Sequence, residues 1–408
     1  MSSFKRNFFK IFAGSASGQI IAIVLLPILT RQVNPGIFGL YSISTIMVMI
    51  LSPIFCLKLD HSLLSSNRKD KKIILRCGIA YSHIFFIITL IFLFLYEQLF
   101  NFSNLFWVIL TCLSISSFTI SQIIISYHMS IGEFNLAIKH RLFRTIFCLI
   151  SQILLCFIFI PSVELLLIGY ILTNIFSFLI FNKLSFFSTF YIPKINILRK
   201  VFIKEKNFTY YQTISDLFST MSQYVMNFSM MYFSTTAVIG TYSMTTRIMQ
   251  APITLITSSI KEAFYYKIKK YKDSKIIKKE LLKITFILIT PAIIGSIIIY
   301  PFIPALFSIL FGEEWKESGI YAQILLPWFI FLFINQPFTA TANIIGIQRK
   351  VLFFDIFTFI SRIISVLIGW LYFNNVYYTL AIFSFTGVII NILSMLMIFY
   401  YTKRVDTK

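Results

Sequence analysis

Apolar stretches of membrane-crossing length recur along the whole chain, at about 8–30, 39–58, 73–96, 105–127, 142–160, 163–181, 208–233, 238–260, 283–303, 319–344, 351–373 and 377–401. Each is close to the ~20 residues a helix needs to cross hydrocarbon. No ten-residue alternating strand pattern interrupts them, so the pattern predicts an all-α polytopic membrane protein of twelve transmembrane helices. Three of these helices carry a polar stripe. Ser243, Arg247, Gln250, Thr254 and Ser258 are spaced four, three, four and four and share one face. Asp216, Thr220, Gln223 and Asn227 repeat the pattern in the seventh helix, and Asp355, Thr358, Arg362, Ser365 and Gly369 in the eleventh. An arginine at the bilayer centre costs about 2.5–3.5 kcal/mol on insertion scales, so these faces should turn toward protein or water. At ~1.5 Å per residue, Arg247 and Arg362 lie roughly 14–17 Å in, near the midplane, and Asp216 about 12 Å from its helix end. On this reading all midplane charges belong to the second half.

The stripe has an echo. Gly39-Leu-Tyr41-Ser42-Ile-Ser-Thr45 repeats as Gly240-Thr-Tyr242-Ser243-Met-Thr-Thr246 at an offset of 201, with Ile46 where the second copy has Arg247. Asn7-Phe8 matches Asn207-Phe208, Pro53 matches Pro252, and Gly132 and Ser151 match Gly346 and Ser365 more weakly. An internal duplication is expected: an N-terminal six-helix lobe at 1–182, a cytoplasmic linker at 183–206, and a C-terminal lobe with a short tail at 207–408. Because each half has an even number of helices, the halves insert the same way up, with substrate between them.

Composition agrees. The chain has 408 residues, 58% of them hydrophobic and 12% charged. Its mean hydropathy is +0.83, whereas soluble domains carry about 25% charged residues. The net charge of +21 would point to nucleic acid in a soluble protein. Here, with the N-terminus inside, all 36 basic residues except Arg31, Arg247, Lys316 and Arg362 fall on the cytoplasmic side. That is an orientation signal, and nucleic acid is excluded as a partner. The lysine-rich 261–283 loop also favours an anionic leaflet. The run at 8–30 is too long for a signal-peptide core and lacks a small-residue cleavage pattern, so a retained first helix is expected. It carries Gly14-Ser-Ala-Ser-Gly18, a small-residue packing face. Five dispersed cysteines and four dispersed histidines form no metal spacing or nucleophile constellation, so no enzyme and no bound cofactor is expected.

Leu26-Pro-Ile-Leu-Thr-Arg31 followed by Asn34-Pro-Gly-Ile-Phe38-Gly39-Leu-Tyr41 resembles the opening of the polysaccharide-export flippases, with Gly36 in place of the usual glutamate. Lys58-Leu-Asp60 is similar to that family's basic-x-acidic ending of helix two. Phe311-Gly-Glu-Glu-Trp315 and Gly346-Ile-Gln348 are similar to its segment joining helices nine to eleven. The resemblance implies the oligosaccharidyl-lipid branch of the MATE-like MOP superfamily: two six-helix lobes around a central cavity. It implies movement of undecaprenyl-pyrophosphate-linked repeat units of O-antigen or capsule across a bacterial inner membrane by alternating access. Association with polysaccharide polymerase and chain-length machinery is part of that implication. Tyr242-x4-Arg247-x4-Pro252 also resembles the eighth helix of the peptidoglycan lipid II flippases, in which the matching arginine lines the cavity.

A pyrophosphate crossing hydrocarbon needs cationic, hydrated surroundings, and arginine's fork binds phosphate oxygens bidentately. Arg247, Arg362, Arg31 and Lys58 are the candidate charges; Gln250, Gln223 and Asn227 are candidates for sugar hydroxyls. Asp216, Asp355 and Asp60 are candidates for proton or sodium coupling or for ion pairing, a structural Asp216–Arg247 staple being the alternative to a functional Arg247. Multidrug cation antiport and oligosaccharide polymerisation are the alternatives. The first would want carboxylates in the first-half lobe, and the second a large outer loop or an acidic motif.

Overall fold

The computed structural model describes residues 17–66, 70–100, 105–182, 193–205, 209–210, 213–268, 274–345 and 347–402. The first half contains α1 (Ser17–Thr30), α2 (Pro35–Phe55), α3 (Leu59–Ser65), α4 (Lys71–Phe100), α5 (Leu105–Ser130), α6 (Phe134–Ile158) and α7 (Val163–Phe181). A short helix, α8 (Ile195–Lys204), lies in the expected linker. The second half contains α9 (Thr213–Phe233), α10 (Thr236–Ile268), α11 (Ser274–Ile299), α12 (Ile303–Phe311), α13 (Lys316–Ile334), α14 (Gln336–Ile345), α15 (Gln348–Ile368) and α16 (Val376–Tyr401). Each of the twelve expected crossings holds a helix, and no strand occurs among the described residues. The Gly14–Gly18 face lies mostly outside them.

Two compact units form, Met1–Thr220 and Met221–Lys408. The division falls inside α9, beyond the expected 183–206 linker, because the first turns of α9 are tied to the first unit through Asp216.

In the first unit α5 is the most deeply buried helix, and its hydroxyls reach the helices around it. Thr111 Oγ1 donates to Ser44 Oγ of α2 at 3.1 Å, and Ser116 pairs with Ser82 of α4 at 3.3 Å. Ser121 meets His140 Nε2 of α6 at 3.1 Å and Ser177 of α7 at 3.2 Å. Lipid offers no hydrophobic drive between helices, so small side chains and such bonds hold the bundle, each contributing about 0.6 kcal/mol on average. The family-like opening motif is part of this packing. Asn34 caps α2 by accepting from Ile37 N–H at 2.9 Å, and Pro35 occupies the first turn. Phe38 is buried, and the Tyr41 hydroxyl accepts from Gln152 Nε2 of α6 at 2.8 Å.

In the second unit the echoed residues also pack. Tyr242 is buried and Thr245 Oγ1 donates to the Ser318 carbonyl at 2.7 Å. Gly312, at φ +111°, breaks the chain so that Phe311 and Trp315 bury. The crossing expected at 319–344 is interrupted at Asn335, whose Nδ2 donates to Asn391 Oδ1 of α16 at 3.0 Å. Gly387 lets α16 approach α13, since a Cβ there would sit 2.5 Å from Trp328 Cδ1. Gly387→Ala is expected to lower stability by about 1–3 kcal/mol through overpacking. Thermal unfolding of the purified protein in detergent checks this against Gly295→Ala, where a Cβ meets nothing within 4 Å. Equal unfolding temperatures for the two variants would refute the tight contact.

Candidate functional site

Helix α2 stops at a turn of two consecutive left-handed residues, Leu57 at φ 49° and Lys58 at φ 54°. That conformation costs about 1–2 kcal/mol per non-glycine residue. The turn delivers Lys58 Nζ to Asp216 Oδ2 of α9 at 2.6 Å, with the side chains 13% and 26% exposed. Asp60 lies in the first turn of α3, is 5% exposed, and accepts from Cys56 Sγ at 3.7 Å, with His61 Nε2 at 4.0 Å. The structure thus gathers Lys58, Asp60 and Asp216 at one place. Within the first unit Asp216 bonds Lys58, and within the second unit Arg247 has no hydrogen-bond or ion-pair partner among the described residues. The stripe on α9 fixes which residues share a face but not which neighbour that face meets, and the partner lies 158 positions upstream.

The stripes of α9 and α10 meet where Asn227 Nδ2 donates to Ser243 Oγ at 3.0 Å, both side chains being buried. One turn further along each stripe, Gln223 on α9 and Arg247 on α10 are exposed, and Gln250 follows on α10, also exposed. The Thr254 and Ser258 side chains lie outside the described residues. Arg247 sits about 17 Å from the start of α10, on a polar, accessible face.

Arg362 is placed quite differently. It is 6% exposed, its Cζ lies 4.8 Å over the Trp328 ring and 5.0 Å from the Phe383 ring, and Nη1 donates to the Ser222 carbonyl at 3.2 Å. The Trp328 and Phe383 rings stand nearly perpendicular at 5.3 Å. Ring quadrupoles and one carbonyl, instead of a carboxylate, surround this guanidinium. It ties α15 to α9, α13 and α16, which makes it a tether within the second unit. Asp355, two turns earlier on α15, is half-buried and forms no ion pair with it. Arg31 lies exposed in the α1–α2 connection.

One intramembrane cation was missed. Lys139, Arg141 and Arg144 read as the cytoplasmic start of a crossing at 142–160, yet the helix α6 begins at Phe134, just after the Gly132 turn at φ +86°. Arg144 therefore lies about 15 Å into α6, a helix of membrane-crossing length in the first half. The signal was the Gly132-Glu133 turn, which a hydropathy window overrides when three cations follow.

These arrangements define a multi-pass, all-helical membrane protein with charged side chains held inside its spans. The same fold occurs in an inward-facing multidrug resistance MATE family transporter of the MOP superfamily, with a TM-score of 0.69 at 12% identity over 96% of each chain. It occurs in the lipid II flippase MurJ in an inward closed conformation, with a TM-score of 0.72 at 14% identity over 98% of this chain and 90% of that one. A third neighbour is a MOP superfamily transporter from Pyrococcus furiosus described as having a binding pocket of reverse polarity, with a TM-score of 0.64 at 13% identity over 98% and 97%. No curated protein sequence matches the chain. The chain belongs to the polysaccharide biosynthesis protein family, which matches residues 28–319.

Two expectations follow. Arg362→Lys, which keeps charge but loses the planar stack, should lower stability by about 1–2 kcal/mol, while Arg247→Lys should leave it unchanged. Detergent unfolding temperatures check both, and equal shifts would refute the distinction. A double-mutant cycle of Lys58→Gln and Asp216→Asn should show a coupling of about 0.5–3 kcal/mol. Lys58→Gln and Arg247→Gln should be additive.

Proposed function

We propose that the protein is a flippase that carries polyprenyl-pyrophosphate-linked oligosaccharide repeat units from the cytoplasmic to the outer leaflet by alternating access, for O-antigen, capsule or a related surface polysaccharide. The family membership and the flippase and transporter folds of the neighbours support a lipid-linked transport role without enzymatic chemistry. The observation that carries the finer reading is Arg247: accessible, without a carboxylate partner among the described residues, and about three turns into helix α10. A guanidinium left unpaired at that depth is a destabilising feature unless an anion visits it. A pyrophosphate offers the paired oxygens its fork prefers. Gln223 and Gln250, exposed beside it, have the donors and acceptors for sugar hydroxyls.

The distribution of basic residues supports cytoplasmic termini, and on this reading the protein belongs to a bacterial inner membrane. Cation antiport is disfavoured by the first-unit spans α5 and α6, which contain no carboxylate, and by α7, whose one acid, Glu164, lies in its first turn. If an ion gradient drives the cycle, Asp216, Asp60 and Asp355 are the carboxylates at hand, and Asp216 would respond through its bridge to Lys58.

Arg247→Ala is expected to fold normally and abolish surface glycan in cells. Arg247→Lys should retain part of it, a point charge replacing a fork. Surface polysaccharide at matched protein levels is the measurement. Normal export by Arg247→Ala would exclude the phosphate-contact role.

A further inference from the structure

Arg144 is a second half-satisfied guanidinium, and it belongs wholly to the first unit. Both Nη1 and Nη2 donate to the same oxygen, Gln122 Oε1 of α5, at 3.4 Å each. Those are bonds at the outer limit of length, made by a rigid fork to one neutral acceptor. Its Cζ lies 4.7 Å over the Phe118 ring, and Phe118 stacks on Tyr170 of α7 at 6.3 Å. Arg141, one turn away on α6, points its Nη2 to Met129 Sδ at 3.4 Å and adds a second positive charge nearby. No carboxylate pairs with Arg144 among the described residues.

Its direction on the helix is equally informative. Ile150, Leu154 and Phe157 are exposed and mark the lipid-facing arc of α6. Ala137, His140, Ser151 and Gln152 are buried and mark the protein-facing arc. Counting 3.6 residues per turn, Arg144 falls among the buried set, yet it remains only half-buried. The side chain is thus turned away from lipid and still accessible, with a neutral amide oxygen where a charged oxygen pair would fit better. Arg362, by contrast, is enclosed between two rings, with its Nε buried without a hydrogen-bond partner among the described residues.

We infer that Arg144, with Gln122 and the Phe118–Tyr170 ring pair, is an anion-selecting residue for the transported molecule, taking the carboxylate of an acidic sugar in the repeat unit. This rests on the transport reading above. The guanidinium fork receives the two carboxylate oxygens, Gln122 is released to a neighbouring hydroxyl, and the rings present an apolar surface to the sugar's C–H face. Charge-assisted bidentate pairing typically changes binding about 10- to 100-fold. A phosphate oxygen pair has the same chemistry, so the test separates the two sources.

The purified full-length protein is reconstituted with fluorescent polyprenyl-pyrophosphate carrying either glucuronic acid or glucose. Movement between leaflets is read by dithionite quenching. Arg144→Gln should slow the glucuronyl lipid about ten-fold or more and leave the glucosyl lipid within about two-fold, with Arg144→Lys intermediate. Equal slowing of both lipids would assign the site to pyrophosphate and overturn the sugar assignment, and no slowing of either would overturn the site. A second measurement does not depend on transport: thermal stabilisation of the detergent-solubilised protein by glucuronate, compared with glucose and with inorganic pyrophosphate. Glucuronate-specific stabilisation lost in Arg144→Gln supports the inference even if the wild type moves neither lipid, in which case the transport reading fails alone. Stabilisation by glucuronate that survives both Arg144→Gln and Arg144→Lys would overturn it.

Discussion

A guanidinium stays charged at any pH a cell reaches, so a chain that carries one into hydrocarbon must surround it. The described spans meet this constraint in three ways. Arg362 is enclosed by Trp328, Phe383 and a backbone carbonyl, and four helices converge on it. Arg144 is half-enclosed, resting on Phe118 with one amide oxygen shared between two donors. Arg247 is not enclosed and keeps its charge by staying accessible. The series runs from packing to availability, and availability is what a transporter requires of a residue that must bind and release.

The same logic extends to neutral polar groups. Hydroxyls on α5 are paired with hydroxyls or a ring nitrogen of four neighbouring helices, which fixes helix rotation in an environment where apolar contact alone would not. Rotation in turn sets which side of α6 carries Arg144. The duplicated tyrosines are both buried: Tyr41 bonds Gln152 on α6, and Tyr242 lies in the core of the second unit.

Much of this was legible in the sequence. The twelve helices follow from hydropathy because the bilayer dictates one length, and the stripes on α9 and α10 follow from helical period, as the Asn227–Ser243 bond confirms. The parts that were not legible share a cause. Hydropathy treats a cation as a boundary, so Arg144 was counted with the cytoplasmic cations although the helix had begun ten residues earlier. Period assigns faces without assigning neighbours, so the Lys58–Asp216 bridge was not foreseen. A polar stripe also does not say whether its arginine is enclosed or open, and Arg247 and Arg362 looked alike until their surroundings were seen. The left-handed pair Leu57–Lys58 has no glycine to announce it.

The opening motif has a bearing on how such chains are sorted. Asn34 caps a helix, Pro35 starts it, Phe38 fills the core and Tyr41 bonds across to α6; each of these duties concerns architecture, and none touches cargo. Sequence signatures built on that stretch therefore gather proteins by how they fold. On the transport reading proposed above, the letters that speak of the passenger are elsewhere, at 144 and 247.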